Sequence, residues 1–150
     1  IVNHTSPVER KRIAEKTGIV ANRDLRYDFK PFSAAMPADE RNVHVFLLHH
    51  GDRAVGLLIA ERCSKIWRCT WEEYANAATT HLLDHPSIWS VALVWANQRH
   101  RHKGLGYRLA VTTASYLGIP IQQLGWQTPF TPSGMKMVQR LCPDVFYIAK

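Results

Sequence analysis

The sequence predicts an α/β (α+β) fold, one domain built on a central sheet with both faces covered. Three observations predict it. The chain has 150 residues, 46% of them hydrophobic, which is the size of one core-forming domain. Its apolar runs, at 43–48, 55–60 and 91–96, have strand length and little polar alternation, the pattern of strands buried on both faces. Segments with helix caps and stop signals lie between and after these runs, so helices and strands are interleaved. No run approaches the roughly 18 apolar residues that a membrane helix needs.

The elements follow in order. Ser6, Pro7 and Glu9 predict a helix start over 7–16: a cap residue, proline at the first position, an acid in the first turn. Gly18 reads as its stop. Residues 22–41 are polar, with Pro31 and Pro37, and read as loops with short elements. Residues 43–49 and 54–62 read as two strands joined by a hairpin turn at His50-Gly51-Asp52-Arg53. Thr70, with Glu72 and Glu73 behind it, starts a helix whose face would be Trp71, Tyr74, Ala78 and Leu82; His85-Pro86 ends it. Residues 88–96 form a buried strand and 97–103 a polar, basic connection. Residues 104–117 are helical, with Leu105, Leu109, Thr112, Thr113 and Tyr116 at helical spacing, closed by Gly118-Ile119-Pro120. A strand over 121–126, a helix capped by Thr131 or Ser133 and running to about Leu141, and a strand over 145–149 complete the chain.

Charge and cysteine content narrow the function. Nineteen basic against twelve acidic residues give a formal charge of +7, which predicts an anionic partner such as a phosphorylated cofactor, nucleic acid or an acidic protein. The cysteines Cys63, Cys69 and Cys142 are odd in number and unclustered, so reduced thiols and a cytoplasmic location are expected. Cys63 and Cys69 have poor zinc spacing, and no metal site is expected. No secretory leader pattern opens the sequence.

The chemistry concentrates in 91–109. There a buried strand runs through a basic turn into a helix. Backbone N–H groups at a helix start have no internal partners, and the helix dipole adds positive character to them. Gly104 and Gly106 let a ligand approach the backbone. Arg101, His102 and Lys103 add charge at the same point. These features together describe a pyrophosphate cradle. Arg101-His102-Lys103-Gly104-Leu105-Gly106 is neither the P-loop, which needs Gly-Lys-Ser/Thr, nor the dinucleotide fingerprint, which needs a third glycine.

The hexapeptide matches Arg/Gln-x-x-Gly-x-Gly/Ala. With its strand–turn–helix setting, the chain over 43–150 resembles the GNAT acetyltransferase superfamily. The resemblance implies a mixed, mostly antiparallel central sheet with splayed strands and helices on both faces. It implies acetyl-CoA as cosubstrate, its pantetheine arm on the backbone of Val94, Trp95 and Ala96. Its pyrophosphate would lie on Arg101, His102, Lys103, Gly104, Leu105, Gly106 and Tyr107. One domain over 1–150 is expected, with a helix-bearing insert at about 63–87 that departs from the family. Thr128-Pro129-Phe130-Thr131-Pro132-Ser133-Gly134 is also similar to the Ser-x-Pro-Thr-x-x-Gly segment of the sister-chromatid cohesion acetyltransferases. The acidic residue that some of them carry there is missing, and no counterpart of their N-terminal zinc finger is expected.

The usual catalytic positions of that superfamily are empty. The strand 88–96 has no carboxylate and the last helix no tyrosine. The catalytic candidates are therefore Thr128, Ser133 and Glu61, beside His49, His50, Ser90 and Thr131. Trp126 and Phe130 are the candidates for an acceptor wall. The resemblance implies an acyl-CoA-dependent N-acyltransferase acting on an amine. Two other readings stand beside it: a related enzyme that modifies nucleic acid or aminoacyl-tRNA, and a non-catalytic CoA- or nucleic-acid-binding module. No membrane partner is expected, and the resemblance permits a homodimer.

Overall fold

The computed structural model describes residues 1–26, 34, 42–78, 81–82 and 88–149. Four helices occur among them: α1 (Val8–Leu25), α2 (Trp71–Ala75), α3 (Leu105–Leu117) and α4 (Pro132–Leu141). Seven strands are described: β1 (Val43–His50), β2 (Arg53–Cys63), β3 (Ile66–Thr70), β4 (His81–Leu82), β5 (Ile88–Ala96), β6 (Gly125–Gln127) and β7 (Val145–Ala149). The chain divides into two compact units. The first comprises Ile1–Ala60 and Leu93–Leu109, the second Glu61–Ala92 and Ala110–Lys150.

In the first unit, β1 and β2 are joined by the two-residue turn Gly51-Asp52, and β5 lies beside β2. The Asn97 N–H donates to the Val55 carbonyl at 2.7 Å. Val2 bridges to Val45, which is fully buried. Helix α1 does not stop at Gly18. It continues to Leu25 and ends at Arg26, whose backbone is left-handed. The reason is packing: Ala14, Thr17, Gly18 and Ala21 are its buried residues, so Gly18 lies on the small-residue face rather than at an end. The helix start differs too. Pro7 is the cap position, and the Ser6 hydroxyl instead accepts from the Asn3 N–H at 3.0 Å.

In the second unit the strand order is β5-β6-β7-β3-β4. Strand β6 pairs in parallel with both neighbours, and β3 pairs antiparallel with β7 and β4. Among the described residues the β5–β6 register holds only Ser90 with Gly125 and Val91 with Trp126, although β6 keeps pairing with β7 through Gln127 and Ala149. The two strands therefore part after Val91. Phe146, Ile66, Leu124 and Val138 are fully buried in this unit.

Several expected elements change. Strand β3 was not expected; it lies between β7 and β4, one strand in from the end of the order. Helix α2 begins as read, with a capping box in which Thr70 Oγ1 accepts the Glu73 N–H and Glu73 Oε2 accepts the Thr70 N–H. It ends at Ala75, because Asn76 leaves the helix and Ala77 turns left-handed. Leu82 lies in β4, exposed, not on the α2 face. The expected stop at His85-Pro86 lies outside the described residues, as does most of 22–41. Helix α3 buries Leu109, Ala110, Thr113 and Ala114, while Thr112 and Tyr116 face solvent. The expected strand over 121–126 is a 3-10 turn at Ile121–Gln123 followed by the shorter β6.

Candidate active site

The first unit holds the basic turn. Strand β5 ends at Ala96, and Asn97 Oδ1 accepts the Arg99 N–H at 3.0 Å to cap the 3-10 turn Gln98–His100. Then the backbone becomes left-handed twice, at His102 with φ 61° and at Gly104 with φ 73°. A side chain rarely tolerates this conformation; glycine does so without cost. The first bond that closes α3 runs from the Arg108 N–H to the Gly104 carbonyl, 3.0 Å. The N–H groups of Leu105 and Gly106 precede it and are the orphan donors of a helix start. Among the described residues, chain neighbours aside, no atom lies within 4 Å of where a Cβ on Gly104 would stand, so the approach to them is open there. His102 and Lys103 are exposed beside it. Open space, backbone donors and two cationic or titratable side chains fit a pyrophosphate.

Arg101 is committed elsewhere. Its Nε–H donates to the Ala96 carbonyl at 3.1 Å, and its Nη2 lies 3.9 Å from Asp24 Oδ2. The Asp24 carboxylate also accepts the Trp95 indole N–H at 3.1 Å. Trp95 is buried, with Val94 and Ala96 half-buried on either side. Leu105, Gly106 and Tyr107 are half-buried in the first turn of α3. Exposed His50 places its ring 5.7 Å from that of His100, and His49 is exposed beside it.

The second unit holds a polar cluster on one face of β2, β5 and β6. Glu61 and Cys63, two residues apart on β2, point the same way. The Gln127 side-chain amide donates to Glu61 Oε1 and lies 3.7 Å from Cys63 Sγ. Cys63 Sγ is 3.0 Å from Ser90 Oγ, and that hydroxyl donates to the Glu61 carbonyl at 3.2 Å. Ser90 is fully buried. Burial is the main cause that pushes the Cys63 thiol up; the Glu61 charge acts the same way, against the hydrogen bonds from Ser90 and Gln127. A thiol so raised is a weak nucleophile. All three cysteines are free, and among the described residues no group of three or more His, Cys, Asp or Glu could hold a metal.

The remaining candidates lie at the start of α4. Thr128 is half-buried before the cis Pro129. Thr131 is the cap: its Oγ1 accepts the Gly134 N–H at 3.0 Å, with Pro132 at the first helical position. Ser133 is therefore inside the helix, exposed, its hydroxyl 3.5 Å from Thr131 Oγ1. Phe130 joins Trp71, Tyr74 and Phe146 in one aromatic cluster, and Trp71 stacks on Phe146 at 4.0 Å. Trp126 is 2% exposed and belongs to the core, not to an acceptor wall.

Sequence reasoning missed Asp24 and Gln127. Asp24 lies more than seventy residues before its partners, and no local pattern marks it. Gln127 had one usable signal: it directly precedes the Thr128–Gly134 motif.

No family model matches this chain, and no curated protein sequence does. Solved structures do. The xEco2 acetyltransferase domain bound to a CoA conjugate matches with a TM-score of 0.72 and 19% identity, over 99% of this chain and 89% of that one. The xEco2 acetyltransferase domain in a second structure gives 0.71 and 18%, over 99% and 88%. A ribosomal-protein-alanine N-acetyltransferase from Brucella melitensis biovar Abortus 2308 gives 0.57 and 13%, over 91% and 86%. The chain thus has the GNAT fold. No helix among the described residues is long and apolar enough to cross a membrane.

Proposed function

We propose that this chain is an acyl-CoA-dependent N-acyltransferase that moves acetyl from acetyl-CoA to an amine by direct attack on the thioester. The turn between β5 and α3 carries the reading: two left-handed residues bring open space, orphan backbone donors and exposed basic side chains to one point. The Leu105 and Gly106 N–H groups, with His102 and Lys103, would hold the pyrophosphate, and Tyr107 would flank it. Arg101, bonded to Ala96 and near Asp24, would brace the turn and add long-range charge. The Ala96 carbonyl already accepts from Arg101, which leaves Val94 and Trp95 as the main backbone groups for the pantetheine arm. Acetyl-CoA supplies the activated acyl group.

The amine arrives as an ammonium and must lose a proton before it attacks. Glu61 is the candidate base, being half-buried with its carboxylate hydrogen-bonded on one oxygen. Thr128 and Ser133 are candidates to orient the acceptor or the thioester. One neighbour, xEco2, was solved with a CoA conjugate, which supports CoA as the ligand class.

Calorimetric titration of the chain with acetyl-CoA, CoA and ATP tests this reading. Micromolar binding of both CoA species, with ATP much weaker, is the expected result. No binding of either CoA species would leave the fold without this chemistry and turn attention to nucleic acid, which the +7 charge would attract.

A further inference from the structure

We infer that Gln127 is a positioning residue that aims the Glu61 carboxylate; the inference rests on the acyltransferase reading, in which Glu61 is the base. The geometry depends on small residues. Strand β5 lies between β2 and β6, so Glu61 and Gln127 sit about two strand spacings, roughly 10 Å, apart at the backbone. Their side chains can meet only over whatever β5 and β6 place between them. That residue on β5 is Ser90, and its registered partner on β6 is Gly125. A Cβ on Gly125 would stand 3.1 Å from both Ser90 Cβ and Ile88 Cδ1, so this position on β6 has room only for glycine. Long side chains from the flanking strands close over Ser90 and Gly125.

The contact also lies where the strands part. Gly125 and Trp126 are paired to β5, while among the described residues Gln127 has a registered partner only on β7. Its side chain therefore leaves β6 at the fork. The amide takes Oε1 of Glu61, and a carboxylate held on one oxygen presents the other in a defined direction. Ser90 and Cys63 complete the support: Ser90 Oγ holds the Glu61 carbonyl and Cys63 Sγ holds Ser90 Oγ. Backbone and side chain of Glu61 are thus both fixed. A base held this way takes the ammonium proton without first losing rotamer freedom, the kind of preorganisation that small displacements undo by up to about a hundredfold.

Two measurements test the inference. In the first, the Gln127 carboxamide protons are observed by NMR in the chain and in Glu61→Ala. Bonded to a carboxylate, one of them stands downfield and exchanges slowly; in the variant it returns to the free-amide position and rate. An unchanged resonance overturns the inference. The second is a set of rate measurements with acetyl-CoA and a lysine-containing peptide. Gln127→Met keeps length and apolar bulk but donates nothing; it lowers kcat about 10- to 100-fold with KM for acetyl-CoA unchanged. Glu61→Gln lowers kcat by about a hundredfold or more, and Gln127→Met adds nothing further to it. A Gln127→Met loss that persists in full in the Glu61→Gln background means the residue acts on its own, and the inference fails alone. Full turnover by Glu61→Gln, or none by the unaltered chain, removes the base reading and this inference with it.

Discussion

The Trp95 indole N–H donates to the Asp24 carboxylate at 3.1 Å, tying the last turn of α1 to the end of β5. Arg101 reaches the same carboxylate and the Ala96 carbonyl from the other side. The strand end that would receive the pantetheine arm is thereby held by a residue from the first helix.

Removing Asp24 should expose the asymmetry of that arrangement. Asp24→Ala leaves a buried indole donor without an acceptor, a cost of about 1–3 kcal/mol, whereas Asp24→Asn keeps an acceptor and should cost under about 1 kcal/mol. The Arg101 pair adds little, since both side chains are about one third exposed, 37% and 31%. Urea unfolding of both variants measures this; equal losses would show that the charge, not the acceptor, matters.

Gly104 should be the least replaceable residue of the basic turn. Its φ of 73° strains any side chain, so Gly104→Ala should cost about 1 kcal/mol of stability although its Cβ meets no atom. Gly104→Glu should in addition abolish acetyl-CoA binding, because a carboxylate would stand in the phosphate position. Calorimetry on the two variants separates strain from charge, and acetyl-CoA affinity retained by Gly104→Glu would move the phosphate site elsewhere.

The two hydroxyls at the start of α4 should behave differently. Thr131→Ala removes the cap on the Gly134 N–H and should lower stability by about 1 kcal/mol. Ser133→Ala should stay within about 0.5 kcal/mol, because Ser133 is exposed inside the first turn. If Ser133 orients a reactant, its variant should lose turnover without losing stability. Thermal melts and rates on the same preparations decide both points.

Acid should weaken the first unit through His44. Burial pulls its pKa down from the ordinary 6.5, with nearby His4 acting in the same direction. The unfolded chain then binds this proton more readily than the folded one. The stability tied to neutral His44 is therefore complete above pH 6.5 and is lost as pH falls from there through the lowered folded value. His44→Asn should flatten that slope in unfolding curves taken from pH 7.5 to about pH 5.

Elements with local signals were legible. The strand 88–96, the start and end of α3, the final strand and the hairpin at Gly51 each rest on near-neighbour patterns, and each falls at or within a residue of its reading. The basic turn was legible for the same reason, since glycines and cations adjacent in sequence stay adjacent in space. Failures came where packing overrides local preference. Gly18 is a stop signal alone, but it lies on the buried small-residue face of α1 and the helix runs on. Strand β3 looked like part of a helical insert because its partners, on β7, lie some eighty residues away.

Periodicity and residues next to one another carry the αβ architecture, the basic turn at 101–106 and the likeness to GNAT enzymes, so these are legible in one dimension. It takes the folded chain to draw Arg101 onto Ala96 and toward Asp24, to make Thr131 rather than Ser133 the cap of α4, and to bring Gln127 to Glu61 over Ser90. The Arg101–Asp24 and Gln127–Glu61 contacts join residues more than sixty positions apart, the Arg101–Ala96 bond closes a local turn, and the cap turns on one residue's backbone angles. Each exists only once strand order and side-chain direction are set, and neither follows from a one-dimensional pattern.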